Sequence, residues 1–185
     1  MFDKCRAALV LGAVLFAGGC PVLPGEDFYD VGIAKVGDAY HLYAPMCDGE
    51  SLDGVEVTTE SANPADPDTW STTRYWAVDQ AIDQSTKEGW IELGADDDFA
   101  VVTVEGAHTT HWPEFFSLTL YQWDGPERFT TSATVMMDVP MPEYPADADI
   151  TTIDHFFDNP HDRNEGAPMS PLEMRYLMGC ARQYL

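Results

Sequence analysis

The chain has 185 residues, 32 acidic and 9 basic, for a formal charge of −23 at pH 7 with 45% apolar residues. That length fits one domain of ordinary size with a real hydrophobic core. A field of this sign repels nucleic acid and anionic lipid headgroups, which argues against nucleic-acid binding, and attracts cations, basic peptides and basic protein faces.

Lys4 and Arg6 form a short basic start, Ala7 to Phe16 an apolar run, and Ala17-Gly18-Gly19 a set of small side chains, the order of a secretory signal over residues 1–19. Directly after it stands Cys20. Ala17-Gly18-Gly19-Cys20 resembles the lipobox of bacterial lipoproteins, with Ala17 in the place of the usual leucine. The resemblance implies cleavage before Cys20 and thioether linkage of its thiol to diacylglycerol. It also implies a mature chain held to a membrane of the bacterial cell envelope by acyl chains such as palmitate, on the extracytoplasmic side. The alternative is an uncleaved transmembrane helix, since the uncharged run from Ala7 to Gly25 is close to the roughly 20 residues that span a bilayer. Pro21 and Pro24 oppose it, because proline inside a helix costs roughly 3 kcal/mol and ends the usable segment near Gly19.

Loss of the signal removes Asp3, Lys4 and Arg6, leaving 31 acidic and 7 basic residues and a charge of −24 over the 166 residues from Cys20 to Leu185. Of the four cysteines, Cys5 leaves with the signal and Cys20 carries lipid. Cys47 and Cys180 remain, and in an oxidising compartment they are expected to form a disulfide.

Residues 20–27 contain Pro21, Pro24 and Gly25 without periodicity and read as a tether to a single extracytoplasmic domain over 28–185. Tyr29 to Val36 and Ala39 to Met46 flank Gly37-Asp38, a two-residue turn signal, and predict a hairpin. Val55 to Thr58 continues the period of two. Ser61 to Thr69, SANPADPDT, reads as a surface loop. Trp70 to Ile82 reads as a strand passing into a helical turn at Val78, Ala81 and Ile82. Trp90 to Leu93 and Phe99 to Val104 read as a hairpin with an acidic tip at Gly94 to Asp98. Phe115 to Trp123 and Thr130 to Val139 add two strands around Asp124-Gly125-Pro126, for seven or eight in all. Ile150, Ile153, Phe156 and Phe157 fall on one helical face. Ser170-Pro171-Leu172-Glu173 is a capping box opening an amphipathic helix whose inward face is read as Leu172, Tyr176, Leu177 and Cys180.

Two acidic clusters are the candidate calcium ligands, Asp96, Asp97 and Asp98 on the predicted hairpin tip, and Asp154, Asp158, Asp162 and Glu165 near the C-terminus. Neither has EF-hand spacing, and solvated loop charge is the competing reading. His108 and His111, and the pair His155 and His161, have weak metal-ligand spacing with no third ligand nearby. There is no nucleophile elbow and no phosphate loop, so no cofactor and no enzymatic activity are expected. Trp70, Trp76, Trp90 and Trp123 are the candidate aromatic binding face, on which sugars or a protein would stack.

The pattern predicts a mainly β domain, an antiparallel sandwich with one or two C-terminal helices, with an α+β single sheet as the alternative. The functional expectation is a lipid-anchored, strongly acidic, non-enzymatic binding module of the cell envelope, facing a basic protein or envelope component. Calcium binding and glycan binding are the alternatives.

Overall fold

Gly37, at φ +60, turns the chain between β1 (Val31–Val36) and β2 (Ala39–Tyr43), the first predicted hairpin. The computed structural model describes residues 31–63, 66–106, 111–137, 141–146, 148–156, 168–178 and 180. The signal, the tether and Cys20 lie outside them.

β3 (Glu50–Asn63) and β4 (Asp66–Ala81) form a long hairpin that runs straight through the stretch expected to be a loop. Ser61 pairs with Ser71 and Ala62 with Trp70. Pro67 is accommodated because it falls between the Ala62–Trp70 and Asn63–Asp66 pairs, where the register slips and the ladder does not call on its missing N–H. β4 also stays extended through Val78 and Ala81, and the helical turn comes later, as α1 (Gln84–Lys87), capped by the Asp83 carboxylate. β7 (Phe115–Asp124) and β8 (Glu127–Met136) form the predicted hairpin around Gly125.

The acidic hairpin of the sequence reading does not form. β5 (Trp90–Glu92) pairs with β2, whereas β6 (Phe99–Val104) pairs with β4, so residues 94–98 cross from one sheet to the other. Gly94, at φ +86, makes the corner, and a Cβ there would lie 2.8 Å from the Gly106 carbonyl oxygen. The result is two five-stranded sheets. The large one, all antiparallel, has the order β6-β4-β3-β7-β8. The small one has the order β10-β1-β2-β5, with β9 (Glu143–Tyr144) parallel to β1 and β10 (Asp154–Phe156) antiparallel to it. The expected sandwich is therefore present, with ten strands among the described residues rather than the seven or eight expected, the short β9 and β10 being added by pairing to β1.

Two layers of core follow. Between the sheets, Ile33 and Leu42 of the small sheet meet Val55, Val57, Trp76, Phe116, Leu118 and Leu120 of the large one, all fully buried. On the outer face of the small sheet, Ala34 and Tyr43 are covered by Ile153 and Met174. Gly32 makes room for this second layer, because a Cβ there would lie 2.3 Å from Ile153 Cδ1.

The segment around Ile150 and Ile153 is thus extended, not helical. Its β-branched run Ile150-Thr151-Thr152-Ile153 favours strand geometry, and Ile153 pairs with Met169 in a bridge. Backbone of Phe156 lies in β10, and Phe157 is outside the described residues. The capping box is present as predicted. Ser170 opens α2 (Pro171–Leu177) by accepting from the Glu173 amide, while Glu173 accepts from the Ser170 amide. Its buried face is Met174, not the predicted one: Leu172 is 71% and Tyr176 53% exposed. A two-turn helix has too few residues for its own spacing to define a face, and the seat over Ile153 sets its rotation. Cys180, as expected, is buried, and it bonds to Cys47 with Cα atoms 4.7 Å apart. Among the described residues no helix is long and apolar enough to cross a membrane.

A bridge spanning 133 positions restricts the unfolded chain, worth about 4 to 5 kcal/mol in the loop-entropy model. The double variant C47S/C180S should show a lower urea midpoint with a steeper slope, because the unbridged denatured chain is less compact. It should also show faster amide exchange in residues 168–178 before the large sheet is affected. An unchanged midpoint would contradict this role.

Candidate functional site

The period of two in β7 sends Phe116, Leu118 and Leu120 inward and Ser117, Thr119, Tyr121 and Trp123 outward. Across the β7–β8 ladder the outward partners are Thr134, Ser132, Thr130 and Arg128. The outer face of the large sheet is therefore a strip of hydroxyls ending in an aromatic and charged corner. Gln122, inward and fully buried, accepts from Thr131, while its Nε2 has no hydrogen-bond partner among the described residues.

A bulge in β3 between Leu52 and Gly54 shapes that corner. A Cβ on Gly54 would lie 2.6 Å from the Val78 carbonyl oxygen and 2.8 Å from Asp79 Oδ1, so glycine lets β4 approach closely. Arg128 Nη2 lies 2.8 Å from Asp53 Oδ2 and donates to Asp79 Oδ1. Its guanidinium carbon sits 4.9 Å from the Tyr121 ring centroid and 6.0 Å from that of Trp123. Arg74 Nε donates to Glu56 Oε1 at 3.0 Å, and the Tyr121 hydroxyl donates to Glu56 Oε2 at 3.4 Å. Burial, and then the Glu56 carboxylate, hold the Tyr121 phenol above its ordinary pKa. Glu56, Arg74, Asp79, Tyr121 and Arg128 line a groove of about 220 Å³, with Asp53 and Trp123 just outside it.

Ion pairs this exposed contribute roughly 0 to 1 kcal/mol each, so stability alone gives little reason for them. Their effect is positional, since each carboxylate holds an arginine in one orientation against an aromatic ring. Two of the chain's nine lysines and arginines face this one groove. Sequence reasoning missed it. The available signals were a glycine inside an alternating strand and arginines at outward positions of a chain that has so few.

The four predicted tryptophans do not share a face. Trp76 is fully buried, edge-on to Phe99 at 5.7 Å and to Trp112 at 6.3 Å, and is core rather than binding surface. Alternation places it opposite Val57, pointing inward, which its size alone did not reveal. Trp90 is half-buried against Tyr43, centroids 4.5 Å apart, on the covered side of the small sheet. Trp70, on the β3–β4 hairpin, is 65% exposed, and Trp123, beside the groove, is 37% exposed.

Asp96, Asp97 and Asp98 form a 3₁₀ turn in the crossing between the sheets. Asp96 Oδ1 accepts from the Trp76 indole N–H at 2.8 Å and from the Gly106 amide at 3.0 Å, fastening the crossing to β4 and to the chain that follows β6 in the large sheet. Asp98 Oδ2 accepts from the Thr86 hydroxyl at 3.3 Å; burial raises its carboxyl pKa against the effect of that bond. Burial lowers the nearby His41, opposed by the Glu92 and Asp98 charges. Among the described residues no three His, Cys, Asp or Glu side chains are grouped to hold a metal ion. Asp154 and His155 contribute backbone to β10, and Asp158, Asp162, Glu165, His108 and His161 lie outside the described residues.

Compared with protein-family models, curated proteins and solved structures, the chain matches none.

The Asp96 geometry makes a direct forecast. Asp96→Ala leaves the Trp76 indole N–H and the Gly106 amide without this acceptor, a loss of about 1 to 3 kcal/mol. Asp97→Ala, at the exposed neighbour, should change little. Urea denaturation of both variants checks this, and equal losses would contradict the assignment.

Proposed function

We propose that the protein is a lipid-anchored, non-enzymatic binding module of the bacterial cell envelope, held through Cys20 and acting through the outer face of the large sheet. One observation carries the choice of face. The small sheet is covered on both sides, by the large sheet and by Ile153 and Met174, while the described residues give the large sheet one covered side only. An antiparallel sheet commonly keeps one solvated face, and on this one the outward side chains of β7 and β8 end in the groove of Arg74, Arg128 and Tyr121. The charge of −24 on the mature chain keeps the domain off anionic headgroups and favours basic partners at close range.

Two experiments test the two parts. Cys20→Ser should move the protein from the detergent-extracted membrane fraction to the soluble one; unchanged fractionation would contradict the anchor. For the face, Thr130→Lys/Ser132→Lys on β8 should lower retention on washed envelopes at least tenfold. Leu172→Lys/Tyr176→Lys on α2, which adds the same charge to exposed positions, should bind like the unsubstituted protein. Equal loss in both would mean that charge alone decides, and would contradict the choice of face.

A further inference from the structure

We propose that the groove between β3, β4, β7 and β8 is a carbohydrate subsite that takes one ring of a neutral, hydroxyl-rich oligosaccharide. The inference rests on the outer face being the binding surface. Four observations on the groove point to this chemistry.

The first is charge. The groove is lined by two arginines, Arg74 and Arg128, and two carboxylates, Glu56 and Asp79, with Asp53 behind Arg128. An anion gains little where each guanidinium already faces a carboxylate, and a cation gains little beside two guanidinium groups. A neutral ligand meets neither penalty.

The second is hydrogen-bonding capacity held in place. Arg128 makes both of its ion pairs through Nη2, and Arg74 donates to Glu56 through Nε. A guanidinium carries five N–H donors and an ionised carboxylate about four acceptor sites. The groove thus presents donors and acceptors side by side, in orientations fixed before any ligand arrives. That pattern suits adjacent hydroxyls, each of which donates and accepts. Preorganisation of this kind reduces the ordering cost of binding.

The third is the aromatic rim. Tyr121 lines the groove beneath the Arg128 guanidinium, and Trp123 stands just outside the lining at the end of β7, next to Arg128 and partly open to solvent. An indole face offers apolar contact to the C–H side of a sugar ring while the hydroxyls at the ring edge reach the charged groups. The fourth is size. A groove of about 220 Å³ falls below the roughly 300–1,000 Å³ of pockets that enclose a drug-sized ligand. It suits one ring of a chain whose neighbours continue along the hydroxyl strip of Thr119, Thr130 and Ser132.

The test is an array of neutral hexose, N-acetylhexosamine and uronic-acid oligomers, probed with the mature Cys20→Ser protein. Binding to a neutral oligomer should survive a tenfold rise in salt. It should fall at least tenfold in both Trp123→Ala and Arg128→Gln, with Trp70→Ala unchanged. Melting curves show whether each variant is folded, and Trp123, at an exposed strand end, can be replaced without touching the core. Preference for the uronic-acid oligomers, or neutral binding that Trp123→Ala leaves intact, would overturn the proposal. Absence of binding to every oligomer would overturn it too. In that case the envelope-retention assay separates the two readings: loss of retention in Thr130→Lys/Ser132→Lys keeps the outer face as the binding surface for another ligand, and unchanged retention removes both.

Discussion

The packing of Ile153 and Met174 onto the outer face of the small sheet, fastened by Cys47–Cys180, is the constraint on which the rest of the molecule depends. A sandwich of two sheets leaves two outer faces to solvent. Here the C-terminal segment closes one of them, so the small sheet is buried on both sides. Its first strand shows the consequence: Val31, Gly32, Ile33 and Ala34 are all buried, without the alternation of a half-exposed strand. Gly32 belongs to the same arrangement, since any side chain there would collide with Ile153. Asymmetry between the faces then follows, and β7, on the other sheet, alternates strand-fashion between core and solvent.

That asymmetry gives the acidic composition a structural context. Most of the charge belongs to a chain with few cations to pair with it, and a net charge of this size opposes self-association. At one place the chain departs from this pattern. The β3 bulge, Gly54 and the two arginines draw Asp53, Glu56 and Asp79 together beside Tyr121 and Trp123. Surface ion pairs add little to folding free energy, and a chain poor in basic residues has two of them at the same groove. What they do is positional: each carboxylate fixes an arginine at the groove, and Arg128 is thereby held against Tyr121.

How much of this was legible in the sequence depended on whether the deciding contact was local. The Gly37-Asp38 and Asp124-Gly125-Pro126 turns, and the Ser170 capping box, are set by residues a few positions apart, and each formed as read. Pairing at a distance was not legible. β5 and β6 sit next to one another in sequence around a turn-like stretch, yet each finds its partner in a different sheet. Ile150 and Ile153 fit a helical period, but the β-branched residues between them and the bridge to Met169 keep the segment extended. The site divides the same way. Cys47 and Cys180 followed from counting cysteines, whereas Trp76 and Trp123 have the same side chain and opposite fates. Strand register separates them: Trp76 faces Val57 in the core, and Trp123 faces Arg128 at the surface.

Hydroxyl-radical footprinting of the mature domain, free and bound to washed envelopes, tests the central claim most directly. It reads side chains on both sides of the molecule in one experiment. The account predicts that oxidation of Trp123 and Tyr121 falls on binding while that of Tyr176, exposed on α2, stays the same. Protection of Tyr176 with Trp123 unaffected would contradict it, and would mean that the C-terminal layer, not the open face of the large sheet, is the surface that binds.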